Sequence, residues 1–361
     1  MSCLKLFSVF SIDSRMAIDN FRDVVGFAKD QTGFLIFCAL LISVLSNAQD
    51  LHFSQYSATQ PYINPALTGF FDGDYRILGN FRMQSKFANS PFMTYGGQAD
   101  VSLFKNKLGD DYFAIGGYFY QDKAGDFNLT STTGAMTIAY SLGFGNNVKH
   151  FLAAGFNFGV IGKSLTTAGA VFPSGVNENF VGSGKLNADI GFGLNYQIYF
   201  NKRLNVFIGQ SVNHINQPTD QILNTDVNKV YMKFTTHAMA KIRAAESINI
   251  IPMFLYSRQS NHLEFNGGLN AQFLLGNYEE NKTSVSVVTY GRFGNKTIDA
   301  LIFLVKAEIN RIQIGVSYDL NLNDFSLANR GSEAFELSVG YIGIVNFKDK
   351  NRLKCPNLKT F

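Results

Sequence analysis

The sequence predicts an all-β fold, a transmembrane antiparallel β-barrel of about 14 strands, on three observations. Charged residues make up 16% of the chain and hydrophobic residues 46%, whereas a soluble protein carries about 25% charged residues. One uninterrupted apolar run stands out, Phe34–Leu45, so apolar spans of roughly 20 residues do not recur as they do in helical membrane proteins. Beyond that run, polar and apolar residues alternate with a period of two, which gives each strand one wet and one greasy face. The 35 Phe, 16 Tyr and 33 Gly suit a barrel girdled by aromatic rings at both membrane boundaries.

The N-terminal element, 1–48, reads as an extension followed by a secretory signal. Phe34–Leu45 is too short to cross a bilayer and leads into Ser46-Asn47-Ala48, a small-x-small cleavage pattern, with Lys29 ahead of it. A start at Met16 would shorten the unusually long segment before it. Phe37 sits where a lipidation signal through Cys38 wants a small residue. Cleavage near Ala48 removes Cys3 and Cys38 and leaves Cys355 alone, which excludes an intrachain disulfide and a cysteine-cluster metal site. Met1–Ala48 carries four basic and four acidic residues, so the net charge of +4 survives. The last element, 348–361, is a basic tail with Lys348, Lys350, Arg352, Lys354 and Lys359 against Asp349. The rest of the chain is then near neutral, which argues against nucleic-acid binding.

Between these lie a periplasmic lead-in segment, 49–73, and the barrel, 74–347. The lead-in contains Pro61 and Asn64-Pro65, which favour extended or turn backbone. The strands are expected at 74–84, 93–104, 112–121, 128–142, 150–162, 187–200, 204–212, 230–243, 248–257, 262–275, 284–293, 297–307, 311–320 and 334–347. In the first, Asp74, Arg76, Asn80, Arg82 and Gln84 oppose Tyr75, Ile77, Phe81 and Met83. In the sixth, Ile190, Phe192, Leu194, Tyr196 and Ile198 oppose Asp189, Gly191, Gly193, Asn195 and Gln197. The segments 262–273 and 311–320 repeat the pattern, and alternation is blurred at 128–142, 204–212 and 284–307. A soluble sandwich also alternates, but the export signal and the aromatic outer faces favour lipid, where only a closed barrel satisfies its backbone. Counted from a periplasmic start, the long connections 163–186, 213–229 and 321–333 all fall outside. The tight ones at 201–203, 244–247 and 308–310 all fall on the periplasmic side, as barrels require.

No catalytic or cofactor site is expected. The five histidines lack metal-ligand spacing, and there is no nucleophile elbow, P-loop or dinucleotide fingerprint. The polar faces carry Arg76, Arg82, Asp100, Asp189, Lys233, Glu264, Arg311, Asp319 and Glu336, which should point into the lumen and either hydrate it by pairing or hold a plug.

Leu51–Gly69 (LHFSQYSATQPYINPALTG), directly after the cleavage pattern, resembles the start of PorP/SprF-family proteins, outer-membrane components of the type IX secretion and gliding machinery. Asp74–Arg82 and Pro91–Gly97 fit that family's first hairpin. Gly209–Pro218 (GQSVNHINQP) resembles its mid-chain motif, and Tyr290–Ala300, Gly315–Leu320 and Phe335–Ser338 resemble its C-terminal strands. The long segment before the signal and Asn357–Phe361 depart from the pattern. The resemblance implies a non-enzymatic barrel in the outer membrane that captures, secretes or anchors a secreted or surface protein. Its partners would be the translocon, periplasmic proteins and outer-membrane lipid. The candidate family-motif residues are Gln55, Tyr56, Asn64, Pro65, Ala66, His214, Asn216, Gln217, Pro218, Arg292, Tyr318, Asp319 and Glu336. A passive or ligand-specific diffusion channel is the alternative, and an open polar lumen would favour it.

Overall fold

The computed structural model describes residues 50–344 except 85–91, 106–107, 109, 125–128, 146–148, 167–180, 220–228, 277, 279–282, 296–297 and 323–332. The expected signal region and the basic tail with Cys355 lie outside the described residues, as does most of the connection 321–333.

Fourteen antiparallel strands form a closed ring. They are β1 (Tyr75–Gln84), β2 (Phe92–Leu103), β3 (Tyr112–Ala124), β4 (Leu129–Phe144), β5 (Lys149–Thr166), β6 (Asn187–Asn201) and β7 (Leu204–Asn213). The other half is β8 (Lys233–Ala245), β9 (Ile248–Gln259), β10 (His262–Leu274), β11 (Ser284–Phe293), β12 (Ile298–Ile309), β13 (Ile312–Asn321) and β14 (Ala334–Gly343). Each strand pairs with its sequence neighbour, and β1 closes on β14 from Tyr75 opposite Gly343 to Gln84 opposite Ala334. Closure leaves no open edge, the condition for a sheet in lipid. A three-residue strand, Val181–Ser183, pairs with Ser164–Thr166 outside the ring.

The faces are inverted relative to a soluble protein. On β1, Arg76, Asn80 and Arg82 are buried while Ile77 is 57% exposed. On β13, Ser317 and Asp319 are buried while Ile312, Ile314, Val316 and Tyr318 are exposed. The apolar face therefore meets lipid and the polar face meets the lumen.

The connections sort the two ends of the barrel. A short-turn rim carries the two-residue turns Lys202-Arg203, Glu246-Ser247 and Asn310-Arg311, along with the longer connections 104–111 and 275–283. Asn310 and Arg311 both have positive φ, at 47° and 76°, the pattern of a type I′ hairpin turn. A long-loop rim carries 167–186, 214–232 and 322–333, together with one tight turn, Ser260-Asn261. β4 and β5, of 16 and 18 residues, exceed the roughly 9–11 needed to cross the membrane, and with Val181–Ser183 they project at this rim. At Pro252 the β8–β9 pairing lapses between Ile250 and Met253 and resumes in the same register, because proline has no N–H to give the ladder.

The segment expected as a periplasmic lead-in lies inside the barrel wall from Asp50 on. Asp50–Gly73 runs through the lumen from the long-loop rim to the start of β1, folded into a 3-10 turn (Tyr56–Ala58), a one-turn helix (Gln60–Ile63) and a second 3-10 turn (Pro65–Leu67). It packs an apolar core within the barrel: Tyr56, Leu67 and Phe70 lie against Phe207, Ile251, Leu255 and Ile302, and Phe53 lies against Tyr118 and Tyr120.

Candidate functional site

The site is the interface between this plug and the lumen wall, and its two halves are built differently. The first half, Asp50–Gln55, is held mainly by wall side chains. Asp50 Oδ2 lies 2.8 Å from His214 Nε2 and 3.4 Å from Lys233 Nζ, and its backbone N–H donates to Gln259 Oε1. The other ring nitrogen of His214, Nδ1, is 2.8 Å from Asp189 Oδ1. A neutral imidazole has one N–H, so facing two carboxylates calls for the doubly protonated ring. Burial opposes that charge, but Asp50 and Asp189 together raise the His214 pKa to about 10. For Asp50, burial would raise the pKa, and His214 and Lys233 instead hold it below the ordinary carboxylate range.

His52 shows the opposite state. Its Nε2 accepts from Arg292, so Nδ1 carries the proton and donates to Glu264 Oε2 at 2.9 Å. Deeper in, Ser54 Oγ donates to Asp319 and accepts from Arg82. The Glu336 carboxylate takes two successive backbone N–H groups, Ser54 at 2.8 Å and Gln55 at 3.2 Å. The Gln55 amide donates to the Glu336 carbonyl at 2.9 Å and to Gly315 O, and accepts from Ser338 Oγ at 2.6 Å. The wall charges also pair with one another: Arg82 with Asp319 and Glu336, Arg292 with Asp319.

The second half, Gln60–Gly73, is held mainly by shape and by hydrogen bonds to neutral groups, with charged partners in Asp100, Arg76 and Lys105, whose ammonium donates to Phe71 O and Gly73 O at 3.2 and 2.6 Å. Asn64 caps the turn that follows it, Oδ1 accepting from Ala66 N at 2.9 Å, while its Nδ2 donates to Leu194 O and approaches His237 Nε2 at 3.0 Å. Asn64-Pro65 sits in a notch made by Gly155 and Gly193, which face each other across β5 and β6. A Cβ on Gly155 would lie 2.4 Å from the Pro65 carbonyl carbon, and one on Gly193 would lie 1.9 Å from Asn64 Oδ1. Thr68 Oγ1 donates to Thr137 Oγ1 at 2.9 Å. Gly69 N–H donates to Asp100, which also takes the Arg76 guanidinium at 2.9 and 2.7 Å. Arg76 reaches on to Gln60.

The structure thus gathers Gln55, Arg292, Asp319 and Glu336 at one locus, with Arg82 and Glu264 beside them. Asn64, Pro65 and Ala66 occupy the notch, and Tyr56 packs edge-on against Tyr290 at 5.6 Å. Arg76, Asp100 and Asp189 are buried in the lumen and paired, and Lys233 reaches Asp50 from the mouth of β8. One expectation is corrected: Arg311 is not on a lumen face; it forms the β12–β13 turn, where positive φ takes it out of the strand. Tyr318 lies on the apolar face that the alternation over 311–320 gives it, exposed on the lipid side and apart from Asp319. The Asn216-Gln217-Pro218 motif continues the wall past β7. Asn216 accepts from Ile190 N and donates to Ala188 O, Gln217 N–H closes a turn on His214 O, and Pro218 O accepts from Val230 N.

Residues that sequence reasoning missed include Asp50, His52, Ser54, Gln60, His237 and Lys306, whose ammonium donates to Ser57 Oγ. A signal existed for the first three: they alternate with Leu51 and Phe53, the period-two pattern of an extended segment with one polar side.

The profile of the family described as type IX secretion system membrane protein PorP/SprF matches residues 45–341. No curated protein matches the chain. Among solved structures, the toluene transporter TbuX of Ralstonia pickettii is 12% identical with a TM-score of 0.45, covering 79% of this chain and 94% of its own. The CymD monoaromatic hydrocarbon channel is 9% identical with a TM-score of 0.47, covering 81% and 94%. CdiB from Escherichia coli is 10% identical with a TM-score of 0.40, covering 73% and 63%. Identities this low assign no ligand.

Proposed function

This chain belongs to the PorP/SprF family of type IX secretion system membrane proteins, and we propose that it is a non-catalytic outer-membrane component that captures, secretes or anchors surface proteins. The long-loop rim faces outside and receives the cargo. The short-turn rim faces the periplasm, where partner proteins and the translocon dock. The observation that carries this reading is the plug. A lumen occupied from Asp50 to Gly73 and bonded to the wall on β1, β10, β11, β13 and β14 supports a role in holding proteins over one in passive diffusion, which needs a continuous polar path. A deletion strain tests it. Surface proteins should be lost to the medium or retained inside, with small-solute uptake unchanged. Normal surface attachment combined with reduced uptake of a solute would refute the reading in favour of a channel.

A further inference from the structure

We infer that the groove occupied by Asp50–Gln55 is a peptide-binding site filled in cis, and that an extended segment of another polypeptide takes this place when the resident one leaves. The inference rests on the proposed role in holding cargo. Four observations carry it.

The resident segment is bound as a peptide ligand is bound. Glu336 recognises two successive backbone amides, which a peptide without proline presents to one side where it bends out of the extended form, as the chain does at Gln55 (φ −86°, ψ 59°). Side-chain contacts to charged wall groups fall on alternate residues, with a carboxylate first, a histidine two positions on and a hydroxyl two beyond that, and the Gln55 amide adds neutral bonds beside them.

Most of the wall does not depend on the segment for charge balance. Arg82, Arg292, Asp319 and Glu336 pair among themselves, and His214 keeps Asp189. Glu264 would lose His52 but keep the hydrogen bond from the Asn266 amide, and Lys233, partly exposed, would lose Asp50. Departure of residues 50–55 therefore leaves most buried wall charges paired, which limits the cost that breaking buried ion pairs usually carries.

The groove also offers more than the resident takes. Asp319 Oδ1 is buried and has no hydrogen-bond partner, since the single hydroxyl proton of Ser54 goes to Oδ2. A small cavity of about 50 Å³ flanks the segment, lined by Leu51, Phe53, Tyr62, Asn213, Lys233 and Leu255.

Finally, the groove begins at the long-loop rim. Asp50 is gripped by His214 and Lys233, the residues just after β7 and at the start of β8. An incoming peptide would enter there. Its chemistry is set by the wall: extended, with an acidic residue four positions before a small hydrogen-bond donor.

The test uses a fluorescent synthetic peptide of residues 49–57 and the purified full-length barrel in detergent. The tethered resident competes at an effective concentration in the millimolar range, so wild type should bind weakly. The double variant Asp50→Asn/His52→Ala should bind about tenfold more tightly or better. Adding Glu336→Gln to that variant should cancel the gain, and Ser338→Ala should reduce it if Glu336→Gln fails to fold. A scrambled peptide binding equally well would overturn the inference, as would no gain in a double variant that retains heat-modifiable migration. If peptide binding fails while the deletion strain still loses its surface proteins, the inference falls and the proposed function stands.

Discussion

The two halves of the plug sit in the same lumen, yet one is held by ions and the other by fit. Residues 50–55 bond to His214, Glu264, Arg292, Asp319 and Glu336, all of them titratable or charged. Residues 60–73 are seated mainly by the Gly155–Gly193 notch, by Thr137 and by a covalent run into β1, with Asp100, Arg76 and Lys105 as their charged partners. Charge-assisted bonds are strong but can be exchanged for others of equal kind, whereas a shape that only glycine permits cannot. The contrast suggests a fixed base and a replaceable tip.

Deleting residues 50–57 should have the largest effect. Single-channel recordings in planar bilayers should show a conducting pore where the intact protein is closed. A closed deletion variant would mean that the second half alone seals the lumen, and the division would fail. Next is Gly193→Val, whose side chain would invade Asn64. It should cost about 1–3 kcal/mol or more, read as a lower urea midpoint in vesicles, without opening the pore at neutral pH. A neutral Gly193→Val would show that the base is not seated by the notch.

Alkaline pH should act on the tip alone, and more weakly. His214 is raised from 6.5 to about 10 in the folded protein. Its contribution is therefore complete below pH 6.5 and is lost as pH rises through 10. Brief opening events should appear above pH 10 in wild type and at lower pH in His214→Gln; identical profiles would remove the imidazolium from the latch. The smallest effect belongs to Tyr318→Phe, which should leave stability within about 0.5 kcal/mol and the closed state untouched, because the ring faces lipid. A large loss in that variant would return Tyr318 to the site.

The barrel was legible in the sequence because a strand in lipid must separate its faces completely. Arg76 and Ile77, or Asp319 and Leu320, announce inside and outside by type alone. Boundaries were less legible where strands leave the membrane: β5 runs to Thr166 rather than 162, and β14 ends at Gly343 rather than 347. Gln55, Asn64, Asp319 and Glu336 were visible as motif residues, but not that they meet. The plug itself was hidden for a physical reason. Inside a polar lumen both Phe53 and Ser54 are buried, so burial no longer follows hydrophobicity and periodicity carries half its usual information. Arg311 misled because it continues the alternation of β13 by one residue, while the turn geometry takes it out.

The bonds from Ser54 to Glu336 join residues 282 apart, and they fix an order of assembly. The tip cannot be secured until β13 and β14 arrive, and these also supply the last seam with β1. Closing the cylinder and completing the seat of the tip therefore draw on one strand, since β14 brings both the closing ladder and the carboxylate that receives Ser54 and Gln55.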